Sequence, residues 1–208
     1  MRVGGVILCG GRSRRMGRDK ASLPFGPGET LLSATLGRVR QSVNGPAVCV
    51  AAPGQALPPL PAEVLVAHDR TPDGGPLEAL AIGLSAVEGL ADAVVAVGCD
   101  TPLVSPALLR VLAERLGAAG PSAPAAVPVV GGQRQPLLAA YRQSVARHAR
   151  ELLSAGARSL NGLLDAIEPA QVAEAELRAI DPPLDSLLNC NDQATYEAAL
   201  HAAGIDHR

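Results

Sequence analysis

Length, composition and charge limit what the chain can be. Its 208 residues suit one α/β domain whose core needs neither disulfides nor a metal. Hydrophobic residues make up 48% of the chain and aromatic residues 1%, so Leu, Val, Ile and Ala must fill that core. The net charge of −2 excludes the strongly basic balance of a general nucleic-acid-binding domain, and no apolar run is long enough to span a bilayer. We therefore expect neither nucleic acid nor a membrane among its partners.

The cysteines and the amino-terminal segment favour a cytoplasmic protein. Cys9, Cys49, Cys99 and Cys190 form no CxxC pair, and three of them lie in apolar runs, which is typical of buried, reduced thiols. The short apolar stretch at residues 3–9 is followed by basic residues and not by a signal-peptide cleavage site.

Short apolar runs alternate with amphipathic segments along the chain. The apolar runs predict strands at residues 3–9, 47–52, 64–67, 93–98, 126–130, near 137–141 and at 186–188. Helical spacing predicts helices at residues 30–43, 77–90, 106–116, 143–153, 160–167 and 193–203. Residues 53–61 form a Pro-rich loop, and residues 117–126 form a loop or linker. The alternation predicts an α/β fold of three layers, with helices on both faces of a mostly parallel sheet.

Polar residues follow several of the predicted strands directly. Gly10 comes after the first strand, Asp69 after the third and Asp100 after the fourth. Ligands of such sheets bind at the carboxyl ends of the strands, so these residues are expected to share one site.

Glycines and basic residues are concentrated in LCGGRSRRMGRDK, residues 8–20, which we call the signature loop. It matches neither the Walker A pattern nor the GxGxxG fingerprint. Its glycines would nevertheless let backbone N–H groups approach phosphates. Arg15 and Lys20 would neutralise a triphosphate, Arg15 through paired hydrogen bonds and Lys20 as a point charge. The alternative is a solvated basic turn.

The signature loop resembles the LxGGxSxRMGxDK pattern of the molybdenum cofactor guanylyltransferase family. Every fixed position is met, namely Leu8, Gly10, Gly11, Ser13, Arg15, Met16, Gly17, Asp19 and Lys20. The resemblance implies a Rossmann-like nucleotidyltransferase fold in which Leu8, Cys9, Gly10, Gly11 and Lys20 bind GTP. Related cytidylyltransferases usually carry Ala-Ala-Gly where this chain has Cys9-Gly10-Gly11, so the glycine pair implies guanine and not cytosine.

A second segment places Asp69 a few residues before Gly75-Pro76-Leu77, which opens a helix. A carboxylate suits the N1–H and N2–H₂ donors of guanine. The family has an Asp followed by a G-P-L turn, so the resemblance implies that Asp69 and Gly75 contact the nucleotide. Capping of the helix by Asp69 is the alternative.

A third segment, Gly98-Cys99-Asp100-Thr101-Pro102, carries a carboxylate at the end of a buried strand. Magnesium typically takes one or two carboxylates and completes its shell with phosphates and water. The resemblance to the family's C-D-x-P segment implies that Asp100 binds Mg²⁺ as the cofactor and contacts the nucleotide. A plain turn before Pro102 is the alternative.

Two weaker segments resemble the acceptor side of the family. Arg134 and Gln135 lie in a GxxxPLxAxY-like stretch and would hold the acceptor's phosphate or pterin, although a surface hairpin is nearly as good an interpretation. Asn189 and Asn191 match an NxN turn and would meet pterin groups. Asp192-Gln193-Ala194 departs from the family's Thr-Pro-Glu, and Asp192 would instead cap the last helix.

Together these segments imply transfer of GMP from GTP to molybdopterin, or to its molybdenum form, with release of pyrophosphate. Lys20, Arg15 and Asp100 would be catalytic, through positioning and charge neutralisation. Residues 1–208 would form a single nucleotidyltransferase domain, with a nucleotide-binding half at about 1–117 and an acceptor-binding half at about 118–208. Transient contact with molybdenum cofactor-handling proteins is expected.

Two other functions stay open at this point. One is a different small-molecule nucleotidyltransferase, of cytidylyl or sugar-phosphate type. The other is a non-catalytic carrier of the molybdenum cofactor, which would bind the pterin without releasing pyrophosphate.

Overall fold

A single mixed sheet runs through the molecule. The computed structural model describes residues 1–10, 19–72 and 74–205, and within them eight strands pair in the order β3-β2-β1-β4-β7-β5-β6, with β8 beside β5. The strands are β1 Val3–Leu8, β2 Ala47–Ala51, β3 Leu65–His68, β4 Ala93–Gly98, β5 Ala125–Val130, β6 Gln133–Arg134, β7 Leu138–Arg142 and β8 Ala170–Ala173.

The first four strands are parallel and lie side by side in the sheet. β1 pairs with β2 on one side and with β4 on the other, and β3 lies beyond β2. Every residue of β1, β2 and β4 is buried, as expected of parallel strands covered on both faces. β7 then joins β4 in the antiparallel direction, and β5 continues from β7. The predicted α/β fold with a mostly parallel centre is confirmed.

Helices cover both faces of this sheet and give the three predicted layers. They are α1 Leu31–Ser42, α2 Gly75–Ala86, α3 Pro106–Ala118, α4 Val145–Ser154, α5 Leu160–Ile167, α6 Glu174–Arg178 and α7 Gln193–Ala202. Leu36 of α1 and Leu112 of α3 belong to the hydrophobic cluster on one face. Leu80 of α2 and Leu163 of α5 belong to the cluster on the other. No helix in the described part of the chain is both long and apolar enough to cross a membrane.

Polar caps set where several of these helices begin. Thr30 and Ser33 form a capping box at α1, and the Ser105 hydroxyl accepts from the Leu108 N–H at 3.3 Å at the start of α3. Asp192 Oδ1 accepts from the Thr195 N–H at 2.9 Å, so the predicted cap of the last helix is confirmed. The departure of Asp192 from the family's Thr therefore preserves the helix start.

The structure differs from the predicted elements around residues 170–188. The strand expected at residues 186–188 is wrong, because Asp185–Leu187 forms a 3-10 turn. The Asp181 carboxylate accepts from the backbone N–H groups of Asp185 and Ser186, at 3.2 and 2.8 Å, and this arrangement curls the segment. β8 and the five-residue helix α6 were not predicted, since neither is long enough to show a clear hydrophobic period.

The loop predicted at residues 117–126 is shorter in the structure. α3 runs to Ala118, and β5 starts at Ala125 within the same sheet. Arg142 holds the intervening turn, because its guanidinium donates to the carbonyl oxygens of Gly120 and Ala123 at 2.8 and 2.9 Å. One sheet therefore extends through both predicted halves of the chain, and their division of labour stays a prediction.

Helix α2 lies close to the centre of the sheet because Gly83 has no side chain. A Cβ at Gly83 would lie 2.4 Å from Cγ1 of Val6 and 3.3 Å from Cγ2 of Val50. We expect Gly83→Ala to lower the free energy of unfolding by about 1–3 kcal/mol, because the helix must move away from the sheet. Urea unfolding followed by far-ultraviolet circular dichroism measures this change.

Gly37 provides a matched control, since it lies inside α1 and a Cβ there would meet nothing within 4 Å. We expect Gly37→Ala to raise the free energy of unfolding by about 0.5–1 kcal/mol through helix propensity alone. If both alanine variants changed stability in the same direction, the proposed close packing at Gly83 would be wrong.

Candidate active site

A cavity of about 700 Å³ opens at the carboxyl ends of the parallel strands. The chain turns in opposite directions on the two sides of β1, so this edge is the switch point at which sheets of this kind bind ligands. The cavity wall includes eight of the residues predicted from sequence: Leu8, Cys9, Gly10, Lys20, Asp69, Gly75, Asp100 and Asn191. Residues far apart in the chain therefore meet at one place.

Lys20 and Asp100 form an ion pair in this cavity. Lys20 Nζ lies 2.7 Å from Asp100 Oδ2 and also donates to Asn191 Oδ1 at 2.7 Å. The two side chains of the ion pair are only 18% and 19% exposed, so water screens their attraction incompletely. Lys20 begins a 3-10 turn, Lys20–Ser22, and the Asp19 carboxylate caps it by accepting from the Ala21 N–H. The pair joins the end of the signature loop to the end of β4.

The turn after β4 presents the Asp100 carboxylate to the cavity. Thr101 is buried, and its hydroxyl donates to the Gly98 carbonyl at 2.7 Å, which tightens the turn. A Cβ at Gly98 would lie 2.5 Å from Asp100 Oδ1, so a larger residue there would displace the carboxylate. The Cys190 N–H donates to the Asp100 carbonyl at 2.9 Å and fastens the segment before α7 to this turn.

Asp69 directly follows β3 and is half-buried, and one oxygen of its carboxylate is fully buried. Its Oδ1 has no hydrogen-bond partner among the described residues. Burial, with a smaller contribution from Glu78, raises the pKa of the Asp69 carboxyl to about 6, while His68 opposes the shift. A buried acceptor without a donor is costly, and a ligand that brings donors would relieve the cost.

Gly10 lies directly against Asp69. A Cβ at Gly10 would be 2.9 Å from Asp69 Oδ2 and 3.3 Å from the Ala52 nitrogen. The glycine therefore permits close approach of β1 and the Asp69 loop, as its place in the signature loop predicts. The alternative role of Asp69 as a helix cap is wrong, because Gly74 occupies the N-cap of α2 and makes no side-chain cap.

Gly75 shapes the wall formed by the start of α2. Its φ of +82° is a conformation that glycine adopts readily, and a Cβ there would lie 3.0 Å from the Arg158 carbonyl. That same carbonyl accepts from the Leu77 N–H at 3.3 Å, which ties α2 to the start of the α5 segment.

The thiols beside the cavity behave as apolar groups. Hydrogen bonds with Cys49 and Cys99, together with burial, raise the pKa of the Cys9 thiol far above its ordinary value. Burial raises the pKa of the Cys190 thiol to about 12. All four cysteines are free and buried, as predicted, and a protonated thiol is a poor nucleophile.

Comparison with known proteins assigns the chain to a family. Residues 5–172 match the model of the MobA-like NTP transferase domain. A protein of Mycobacterium avium (strain 104), described as a probable molybdenum cofactor guanylyltransferase, is 36% identical over 204 residues, which cover 97% of each chain. This chain belongs to the molybdenum cofactor guanylyltransferase family. A protein of Mycobacterium tuberculosis (strain H37Rv) with the same description is 36% identical over 179 residues, 86% of this chain and 87% of its own.

Solved structures share the fold of this guanylyltransferase family member. The molybdopterin-guanine dinucleotide biosynthesis protein A of Archaeoglobus fulgidus superimposes with a TM-score of 0.78 at 21% identity, over 97% of this chain and 98% of its own. A Mycobacterium tuberculosis H37Rv protein in complex with manganese superimposes with a TM-score of 0.64 at 20% identity, over 97% of this chain and 100% of its own. The nucleotidyltransferase fold implied by the signature loop is confirmed.

Three of the four residues predicted to bind the acceptor make other contacts in this guanylyltransferase family member. Arg134 pairs with Asp165 through Nη1 and Oδ1 at 2.7 Å, Gln135 donates to the Gln133 carbonyl at 3.2 Å, and Asn189 donates to the Leu187 carbonyl at 2.9 Å. None of the three is part of the cavity wall. The alternative interpretation of a hairpin is confirmed, since β6 folds back on β5.

Two predicted site residues fall outside the described part of the chain, and several residues of the cavity wall were not predicted. Gly11 and Arg15 lie outside the described residues. Ala52, Pro53 and Leu137 belong to the cavity wall but were not singled out from sequence. The first two directly follow β2, so the rule that ligands bind at strand ends could have identified them.

The raised pKa of Asp69 gives a testable pH dependence. The folded chain holds the Asp69 proton up to about pH 6, whereas an unfolded chain loses it near the ordinary value of 3.8, so ionisation destabilises the fold as pH rises between those values. We expect Asp69→Asn to raise the melting temperature relative to wild type at about pH 8, and to lose this advantage at about pH 4.

Differential scanning fluorimetry across this pH range measures the difference. Glu114→Gln is the control, since Glu114 is exposed on α3 and should show no such pH-dependent gain. A melting-temperature difference for Asp69→Asn that did not change with pH would contradict the raised pKa of the Asp69 carboxyl.

Proposed function

We propose that this chain transfers GMP from GTP to molybdopterin, or to its molybdenum form, and releases pyrophosphate. The observation that carries the proposal is the meeting of Lys20 and Asp100 at 2.7 Å in the cavity at the switch point. The signature loop supplies one member of the pair, and the segment after β4 supplies the other. The probable guanylyltransferase activity in the description of the 36% identical relatives supports both the base and the acceptor.

The proposed transfer of GMP requires the protein to position charged groups and to neutralise their charge. The attacking group is a phosphate oxygen of the acceptor that is already ionised near neutral pH, so no general base is needed. Lys20 would exchange its contacts with Asp100 and Asn191 for phosphate oxygens of the nucleotide. Its charge then opposes the negative charge that collects on the leaving pyrophosphate.

Asp100 fits a divalent cation, and Mg²⁺ is the proposed cofactor. The described residues hold no group of three or more His, Cys, Asp and Glu side chains that would form an all-protein metal site. A carboxylate in a cavity that also receives phosphates matches the way magnesium is usually bound. A bound Mg²⁺ would supply Lewis-acid stabilisation of the phosphate charge. The manganese complex of the Mycobacterium tuberculosis protein supports a divalent ion in this fold.

Asp69 supports the choice of guanine. Its buried Oδ1 has no partner within the described part of the chain, and guanine presents N1–H and N2–H₂, two donors that a carboxylate can accept together. Cytosine presents one amino group beside acceptors, and those acceptors would face the carboxylate unfavourably. Guanine therefore satisfies the buried oxygen, whereas cytosine leaves it strained.

The acceptor is proposed to enter from the side of Asn191. Asn191 belongs to the cavity wall and touches Lys20, so an acceptor bound there would lie next to the phosphates. The acceptor roles of Arg134, Gln135 and Asn189 stay predictions, as does the division into two halves at about residue 117. We also propose a cytoplasmic location and transient contact with proteins that handle the molybdenum cofactor.

Pyrophosphate release tests the proposed reaction and its base. Purified protein with Mg²⁺ and molybdopterin is assayed with GTP, CTP, ATP and UTP in parallel. We expect release with GTP alone, because only guanine offers both donors to Asp69. Release with CTP would keep the reaction and overturn the base. Binding of molybdopterin without pyrophosphate release from any nucleotide would favour the non-catalytic carrier.

Removal of either member of the ion pair tests the catalytic assignment. We expect Lys20→Ala and Asp100→Ala each to lower kcat about 100-fold or more, because each removes a charge that opposes or organises the phosphates. Single-turnover assays at saturating GTP measure the loss.

A second ion pair serves as the control for these variants. Arg40 and Glu63 form an exposed pair away from the cavity, so Arg40→Ala and Glu63→Ala should keep wild-type turnover. Near-normal turnover in Lys20→Ala or in Asp100→Ala would contradict the proposed roles.

A further inference from the structure

We propose that Gln55 is a positioning residue that fastens the two ends of the signature loop to each other and so holds Lys20 in the cavity. This inference rests on the proposed function for its kinetic consequences, but its structural consequences are independent of it. Gln55 lies in the loop after β2, distant in sequence from the signature loop and from Asp100.

The side chain of Gln55 reaches three backbone or side-chain groups around the site. Its Nε2 donates to the Cys9 carbonyl at 3.1 Å and to Asp19 Oδ1 at 2.8 Å. Its Oε1 accepts from the Ala52 N–H at 2.8 Å. The Gln55 N–H also donates to the Ala52 carbonyl at 3.1 Å, which closes a tight turn and directs the side chain back towards β1. One carboxamide therefore bridges the start of the signature loop, its end and the end of β2.

These contacts leave Gln55 little capacity to bind a ligand. Both N–H bonds of the carboxamide are used, and its oxygen already accepts one hydrogen bond. The opposite orientation of the amide would set its oxygen against two acceptors, the Cys9 carbonyl and the Asp19 carboxylate, so the network fixes the orientation. Gln55 is also absent from the cavity wall. Its role is therefore exerted through its neighbours.

Asp19 transmits this contact to Lys20. The Asp19 oxygen that accepts from Gln55 also accepts from the Ala21 N–H at 3.3 Å and caps the turn that Lys20 begins. The hydrogen bond between Gln55 and a carboxylate is charge-assisted, and such bonds are stronger than neutral ones. Fixing both ends of a loop removes conformational freedom before the nucleotide arrives. Without Gln55, the turn is free to shift and Lys20 loses its fixed approach to the phosphates.

Lys20 itself provides the direct measurement, because it is the only lysine in the chain. An amine-specific acylating reagent, with mass spectrometry as the readout, therefore reports on Lys20 and on the amino terminus alone. Met1 is exposed, so its amine is an internal reference for reagent activity. In wild type the Lys20 side chain is 18% exposed and held by Asp100 and Asn191, and it should react slowly relative to the Met1 amine.

Gln55→Ala tests the proposed positioning of Lys20 by Gln55 in two independent ways. We expect the ratio of Lys20 to Met1 labelling to rise, and kcat/KM for GTP to fall about tenfold or more, since charge-assisted contacts of this kind are lost. The KM for the acceptor should not change. Gln171→Ala, at an exposed position of β8, is the control and should match wild type in both measurements. A folded Gln55→Ala variant with wild-type labelling and wild-type kinetics would overturn the proposal.

Gln55→Glu separates positioning from a general loss of stability. At high pH its carboxylate would repel Asp19 and the Cys9 carbonyl, whereas at low pH a shared proton between the two carboxyls restores one hydrogen bond to Asp19. The labelling ratio and the kcat/KM of Gln55→Glu are each divided by the wild-type value at the same pH. We expect both of these quotients to approach 1 as pH falls. The same quotients for Gln55→Ala should not change with pH.

The outcomes distinguish this inference from the proposed function. If wild type releases no pyrophosphate with any nucleotide, the proposed function fails, and the labelling ratios still decide whether Gln55 positions Lys20. If wild type is active and Gln55→Glu shows no recovery at low pH in either quotient, the hydrogen bond to Asp19 is not what Gln55 contributes. Melting temperatures of all variants verify that each comparison is made on folded protein.

Discussion

The site depends on one constraint, the attraction between Lys20 and Asp100 across the switch point of the sheet. The two residues are separated by 80 positions in sequence, yet their side chains lie 2.7 Å apart. β1 and β4 pair directly, so the loops that follow them leave the sheet side by side. Partial burial makes either charge costly alone, and each charge therefore holds the other in place while the cavity contains no phosphate. The phosphates and the divalent cation that we propose as ligands carry these same two signs of charge.

Asp69 shows the opposite arrangement, because none of the residues that the structure describes donates to its Oδ1. Its buried Oδ1 and its raised pKa indicate a carboxylate that the fold disfavours, and Gly10 brings β1 against it. Strain of this kind is expected where a ligand completes the hydrogen bonding. The cavity therefore combines a satisfied ion pair, where we propose that the phosphates bind, with an unsatisfied acceptor, where we propose that the base binds. The proposed base choice follows from that asymmetry.

The sequence predicted the elements that depend on local pattern and missed those that depend on tertiary contacts. Buried strands such as β1 and β4 are continuous apolar runs, and helices such as α1 and α3 show helical spacing of apolar residues, so both kinds were predicted to within a few residues. The turn at Asp185–Leu187 was predicted as a strand, because the Asp181 carboxylate that curls it is not visible in a hydrophobic pattern. Hydrophobic periodicity carries no information about hydrogen bonds between a side chain and the backbone.

The same distinction holds for the site. Lys20, Asp69 and Asp100 were found from sequence because strand ends converge at one edge of a parallel sheet. Gln55 was not found, since its importance depends on how the loop after β2 folds back on Cys9 and Asp19. Arg134 was predicted to face the acceptor, but its ion pair with Asp165 could not be read from spacing alone. Pattern locates the edge of the sheet, and only the loop conformations decide which side chains face the cavity.

The presence of a single lysine among many arginines is itself informative about the chemistry at this edge. An ammonium group is compact and offers three N–H bonds in different directions, whereas a guanidinium is a flat fork that favours paired contact with one anion. Lys20 already uses two directions, towards Asp100 and Asn191, which belong to different segments of the chain. Under the proposed function, phosphate oxygens replace these two acceptors, and a compact ammonium on a flexible stem can turn towards them. Arginine supplies every basic side chain other than Lys20 and the histidines, so the chain keeps its lysine where one small charge contacts a carboxylate and an amide and is proposed to pass to a phosphate.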